Sequence, residues 1–124
     1  MHSVEAEQIL IGSIMFDNRL FAGVGDKCEP GDFYEDIHQR LLEICGQLIN
    51  AGKPASIVTV KQFLPADMKI GEMPIRQYLA RLVAEAAIPN EVPSLAAVVR
   101  DYADRRAMAE VAGELTKPAI ADPA

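Results

Sequence analysis

From Ser94 to Leu115 the chain keeps a helical period but changes which side of the helix is apolar. At about 100° per residue, Leu95, Val98, Val99 and Tyr102 gather on one side. Met108, Val111, Ala112 and Leu115 gather on roughly the opposite side. The charged run Asp101-Tyr102-Ala103-Asp104-Arg105-Arg106 lies between the two groups. A helix with one packing surface carries one continuous stripe, so two stripes imply two surfaces. The first half is expected to dock on the chain's own core. The second half needs another surface, because only a short stretch holding Pro118, Pro123 and Ala124 follows it. The pattern is that of half an assembly device.

Upstream of this helix the same period recurs, broken by glycine and proline. Ser3 reads as an N-cap, with Glu5 and Glu7 where carboxylates favour the positive end of a helix. Ile9, Leu10, Ile11, Ile14, Met15 and Phe16 then cover nearly every direction, which predicts a central, buried helix ending near Phe16. Asp17-Asn18 either ends it or caps a short second helix through Val24. Gly23, Gly25, Pro30 and Gly31 mark a loop. Asp32 and Glu35 have the spacing of a helix-starting box. A helix is predicted from about Asp36 to Asn50, with Ile37, Leu41, Leu42, Ile44, Cys45, Leu48 and Ile49 on its apolar face and Ala51-Gly52 as its stop. Thr59 and Gln62 form a second box before a helix that Pro65 keeps short. Ala66 to Met73 reads as a loop. Pro74 suits a first helical position, and Ile75, Tyr78, Leu79, Leu82, Val83 and Ala86 repeat at helical spacing. Pro89 and Pro93 break the chain, and Ser94 is placed to cap the long helix. The only β-branched cluster is Ser56 to Val60. The expected fold class is all-α, with five to seven helices: a compact helical bundle followed by one long helix.

Composition narrows the function classes. Of 124 residues half are hydrophobic, and the mean hydropathy is +0.08, enough for one packed domain and against disorder. A net charge of −6 argues against a surface built mainly to grip phosphates. No apolar run reaches the ~18 residues of a membrane span, and the longest, Ile9 to Phe16, has no basic segment before it. A cytoplasmic protein with no membrane partner is the default expectation. Cys28 and Cys45 are then expected to be reduced thiols. With His38 between them they have the wrong spacing for zinc, which favours paired ligands two to four residues apart.

The motifs of common chemistries are missing. The sequence has no G-x-x-x-x-G-K-[ST], G-x-G-x-x-G, G-x-S-x-G or H-E-x-x-H. His38 stands beside Tyr34 on an early helical turn and reads as packed or surface-exposed rather than catalytic. Asp101 and Asp104 alternate with Arg100, Arg105 and Arg106, the pattern of a solvated ion-pair face. Three arginines interleaved with two aspartates make a weak nucleic-acid footprint, so protein contact is expected before DNA contact. No catalytic, metal or cofactor-binding residue is assigned.

In order along the chain stand His2-Ser3-Val4-Glu5-Ala6-Glu7-Gln8, Leu10, Gly12-Ser13 and Asp17-Asn18. Then come Asp32-Phe33-Tyr34, His38, Ala51-Gly52-Lys53-Pro54 and Thr59-Val60. Tyr78-Leu79-Ala80, Val92-Pro93-Ser94 and Tyr102-Ala103 with Arg106 complete the set. This ordered set, from Met1 to about Leu115, resembles the N-terminal domain of DnaB-type replicative helicases. The resemblance implies a globular helical bundle over residues 1–92 and a long helix over 93–117 that forms the first arm of an oligomerisation hairpin. Residues 118–124 would be a tail or the start of a linker. It further implies a non-catalytic domain that supports ring assembly, with self-association as dimer pairs within a hexamer and with docking of primase and a helicase loader. ATP and magnesium would belong to an ATPase domain outside this chain. Met108, Val111, Ala112 and Leu115 become the candidate oligomerisation residues. Glu5 and Tyr78 become candidate partner contacts, although Glu5 equally suits the helix dipole and Tyr78 equally suits the core with its hydroxyl at the surface. The sequence departs from the family pattern at Gly71-Glu72-Met73-Pro74, where a Gly-Gly pair is usual, at Pro65, and at Ala97 in place of an asparagine. A stand-alone helical adaptor or helicase inhibitor binding replication proteins is the alternative expectation.

Overall fold

The first turn of α1 (Val4–Phe16) is set by Ser3, whose hydroxyl accepts the Ala6 N–H at 3.3 Å. The computed structural model describes residues 2–116, the last three by backbone alone; the expected tail at 118–124 and the side chain of Leu115 lie outside the described residues. Leu10, Ile11 and Ile14 are wholly buried, as their spread around the helix requires. Phe16, expected inside, is 71% exposed. The Asp17 N–H closes on the Ser13 carbonyl and the chain turns away, so the last residue of α1 projects past the core. Asp17 then caps a single 3-10 turn, Asn18–Leu20, which leads into α2 (Phe21–Gly25).

The helix expected from Asp36 is α3 (Asp36–Asn50). It stops in a Schellman closure: Lys53 N–H donates to the Leu48 carbonyl and Gly52 N–H to that of Ile49, with Gly52 at φ +75°. Its start differs from the sequence expectation. Asp32 does not open α3; its carboxylate accepts the Glu29 N–H at 2.8 Å and closes a 3-10 turn at Pro30–Asp32. Glu35 stands at the N-cap of α3 and contributes no capping side chain.

The β-branched cluster at Ser56 to Val60 forms a helix, α4 (Ile57–Lys61), because Ser56 and Thr59 cap each other's backbone N–H groups. Thr59 is therefore the third residue of the box, and the expected Thr59–Gln62 pair is not the cap. The stretch expected as loop holds a small antiparallel hairpin of β1 (Lys69–Ile70) and β2 (Met73–Pro74), with Lys69 opposite Pro74 and Ile70 opposite Met73. Gly71, at φ +62°, makes its turn. Pro74 precedes rather than begins α5 (Ile75–Ala84).

A 3-10 turn at Pro89–Glu91 leads into α6 (Val92–Thr116), which begins two residues before Ser94, so Ser94 stands inside the first turn and is not the cap. The near half of α6 docks through Val92, Ala96 and Val99, while Val98 is 39% exposed. The docked stripe runs at i, i+4, i+7 from Val92, one residue out of phase with Val98.

Six α-helices thus build the described residues, with α1 at the centre against α3, α5 and the near half of α6. The α1–α5 crossing is close. A Cβ at Gly12 would lie 1.8 Å from the Leu82 carbonyl oxygen. Beside it the Ser13 hydroxyl donates to Ile9 O at 2.6 Å and accepts the Ala87 N–H at 2.9 Å.

Candidate functional site

Where α3 lacks a cap of its own, α1 supplies one. The carboxylate of Glu7 accepts the backbone N–H of Tyr34 at 2.7 Å and that of Glu35 at 3.2 Å, so a charge from one helix sits at the positive end of another. The same carboxylate meets His38 Nδ1 at 2.8 Å. Across the ring, His38 Nε2 lies 2.7 Å from the hydroxyl of Tyr78 on α5. Gln8 Nε2 approaches that hydroxyl from the surface side at 3.4 Å. Glu7 and His38 are each 1% exposed and Tyr78 is 7% exposed. A carboxylate, an imidazole and a phenol on three helices are thus joined through the middle of an apolar bundle.

Burial pushes the Glu7 carboxyl upward, but the hydrogen bonds from His38, Tyr34 and Glu35 outweigh it and hold the group below the usual carboxylate range. The ionised carboxylate fixes a proton on Nδ1. With the ring neutral, Nε2 offers a lone pair, and Tyr78 donates inward to it. The order carboxylate–imidazole–hydroxyl is that of a nucleophilic triad, yet the hydroxyl is poorly suited to attack. Burial, and then the charges of Glu35 and Glu7, raise the Tyr78 phenol, with only partial relief from Gln8 and Arg81. Its chemistry is positional: it ties α1, α3 and α5 together.

Of the residues singled out in the sequence, Tyr78 lies in this network. Glu5 is exposed in the first turn of α1, one turn before Gln8, so it shares that helix's flank with the residue that touches Tyr78. Gln8 carries no local mark of a site in the sequence; the signal for Glu7 and His38 is that each is a lone polar residue on an otherwise apolar face. Cys28 and Cys45 are free, buried thiols, each pushed up to about 12 chiefly by burial. Among the described residues no three His, Cys, Asp or Glu side chains converge as a metal site, and no single helix is long and apolar enough to cross a membrane.

The second region is α6. Its near half is fastened to the bundle by the segment before α3. Arg100 pairs with Asp32 at 3.3 Å, Arg106 donates to the Asp32 carbonyl at 2.7 Å, and the Arg106 guanidinium lies 5.5 Å from the centre of the Tyr34 ring. His2 stacks on Tyr34 at 3.8 Å. Arg100 also pairs with Asp104 and Arg105 with Asp101, the ion-pair face expected from the sequence. Farther along, Met108 is 72% and Val111 55% exposed, and with Ala107 and Ala112 they line a shallow apolar depression of about 340 Å³.

Residues 1–101 match the family described as the DnaB-like helicase N terminal domain. The chain belongs to that family. Relatives described as replicative DNA helicase DnaB include those of Rickettsia typhi, 26% identical over 94% of this chain, and Buchnera aphidicola, 30% identical over 83% of it. The DnaB-like domain spans only 24% and 21% of those two proteins. Its fold matches the crystal structure of the DnaB N-terminal domain of Mycobacterium tuberculosis, with a TM-score of 0.81, 26% identity, and coverage of 91% of this chain and 82% of that one. The N-terminal domain of the Helicobacter pylori DnaB helicase, whose structure was described with its interactions with primase, shares the fold at a TM-score of 0.74 and 22% identity, over 89% and 85% of the two chains. The match is to the N-terminal domain of such helicases, about a quarter of their length.

Proposed function

We propose that this DnaB-like domain is a non-catalytic assembly and docking element of a hexameric replicative helicase in the cytoplasm. The observation that carries this is the divided α6. Its near half is buried and clasped by Asp32 and Tyr34, while Met108 and Val111 stand exposed on the far half. An apolar face held out from a bundle on a fastened helix suits pairing with a second copy, giving the dimer pairs of a ring. Met108, Val111, Ala112 and Leu115 would form that contact. Primase, and a helicase loader, would dock on the bundle. The flank shared by Glu5 and Tyr78 is the proposed primase surface, in keeping with the primase interactions described for the Helicobacter pylori domain. ATP and magnesium would be handled by a separate ATPase domain, and the pairing of Arg100 and Arg105 with aspartates favours protein over nucleic acid as the partner.

The test is light scattering across a concentration series on the wild type and a Met108→Glu/Val111→Glu double variant, with primase binding followed in parallel on Glu5→Arg. Self-association lost in the double variant with helical content intact, and primase affinity reduced about tenfold in Glu5→Arg, are the expected results; a hot-spot loss of that size is about 1.4 kcal/mol. A wild type that stays monomeric at every concentration would overturn the assembly reading.

A further inference from the structure

Between α1, the hairpin and α5 lies a notch of about 240 Å³ that Tyr78 lines together with Gln8, Arg81 and Glu85. The buried network determines what the Tyr78 hydroxyl offers there. In the tautomer that gives Glu7 the Nδ1 proton of His38, Nε2 takes the Tyr78 hydrogen and the outward side of the hydroxyl accepts, as the approach of the Gln8 amide N–H to it at 3.4 Å requires. Gln8 answers by turning its amide nitrogen toward that oxygen, which leaves its own carbonyl oxygen as a second acceptor. Glu85 lines the same notch, half-exposed, and meets Arg81 only at 3.9 Å, beyond hydrogen-bond length. Met73 and Leu82 supply apolar wall between these groups. We propose that this notch binds a basic side chain, lysine or arginine, of a docked protein partner, its methylene stem against Met73 and Leu82 and its charged head among Tyr78 Oη, Gln8 Oε1 and the Glu85 carboxylate.

Three acceptors beside Ile70, Met73 and Leu82 match a long stem that ends in several donors and no acceptor, and Arg81 is the one cation among the described residues that line the notch. The local field has the right sign: the charges of Glu35 and Glu7 both raise the Tyr78 phenol, marking that spot as electronegative. Arg81 is the internal competitor. It is 64% exposed, so it can swing into solvent when a second cation arrives at Glu85. The notch rests on the reading of the Tyr78 flank as a partner surface and adds the chemistry of what enters it.

The test is an amide-resolved NMR titration of the chain with acetyl-arginine methylamide, compared with the acetyl-glutamate and acetyl-leucine methylamides. The arginine probe should give saturable shifts at Gln8, Met73, Leu82 and Glu85 that the other two do not. Glu85→Gln should weaken its Kd about threefold, in the range of an exposed ion pair, and Arg81→Ala should tighten it. Both positions are exposed, so neither variant puts the fold at risk. Shifts that are absent, equal with the glutamate probe, or indifferent to both substitutions overturn the proposal. A chain that binds primase yet ignores the arginine probe fails the notch alone. A chain that binds the probe at the notch but not primase fails the docking reading and leaves the subsite standing.

Discussion

His38 Nδ1 stands 2.8 Å from a carboxylate oxygen of Glu7, with both side chains almost wholly out of water. Three donors converge on that carboxylate, because Tyr34 and Glu35 present backbone N–H groups to it as well. A glutamine there has one acceptor oxygen, and its amide nitrogen would face at least one donor. Glu7→Gln is expected to cost about 3 kcal/mol in urea denaturation, the upper end of the range for leaving buried donors without an acceptor. The pH dependence has a definite sign. The Glu7 carboxyl is held below its ordinary value in the fold. Its contribution is therefore present above the unfolded value of about 4.3 and is lost as pH falls through the lower folded value. Wild-type stability should drop on that acid limb more steeply than the variant's. Parallel curves would show that Glu7 carries no such coupling.

Gly12 marks the tightest approach of two helices. A methyl group there would meet the Leu82 carbonyl at 1.8 Å, and backbone cannot rotate aside as a side chain can. Gly12→Ala should push α5 off α1 at a cost of about 3 kcal/mol, despite alanine's better helix propensity. Exposed Gly23, which has open space around its Cβ position, is the control and should tolerate alanine. Thermal unfolding of the two variants reads the difference. Equal melting temperatures would mean that the crossing is slack.

How much of this was readable from the sequence depended on how local the signal was. The ends of α1 and α3 follow from Ser3 and from Ala51-Gly52, residues acting on their own turns. The start of α4 was misplaced because Ser56–Thr59 and Thr59–Gln62 share one spacing, and only the fold chooses between them. The hairpin was missed because strands of two residues cannot display an alternating pattern. Glu7 illustrates the deeper limit. In sequence it looks like a favourable charge on its own helix. Its work as the cap of α3 exists only once the fold brings residues 34 and 35 against it. Tyr78 is marked only by the family resemblance, and its burial against His38 is a long-range fact that no local spacing encodes.

Asn18 pins the loop after α3 to the end of α1. Its amide donates to the carbonyls of Ile14 and Ala55, at 2.8 and 2.9 Å, and its oxygen accepts the Ala55 N–H at 2.9 Å. Asn18→Ala removes all three bonds and leaves both polar groups of Ala55, which is 2% exposed, without those partners. A loss of about 2 kcal/mol is expected, with faster amide exchange at Ala55 before any change in the centre of α3. Unchanged exchange at Ala55 would show that water replaces the amide at no cost.

Arg106 makes the last prediction, because it sits where the docked half of α6 gives way to the exposed half. It spans the Asp32 carbonyl and the face of Tyr34, while Arg100, six residues earlier, reaches the Asp32 carboxylate. Removing the guanidinium should loosen the helix without opening the core, since Val92, Ala96 and Val99 remain buried at its base. Arg106→Ala is therefore expected to cost about 1 kcal/mol of global stability, the scale of a partly exposed cation–π contact. Hydrogen exchange should rise from about Tyr102 onward and stay unchanged in α1 and α3. If α6 must be held at a fixed angle to pair with a second copy, self-association should weaken with it although Met108 and Val111 are untouched. Association at wild-type strength, with α6 loosened, would mean that the far half finds its partner independently of the clasp.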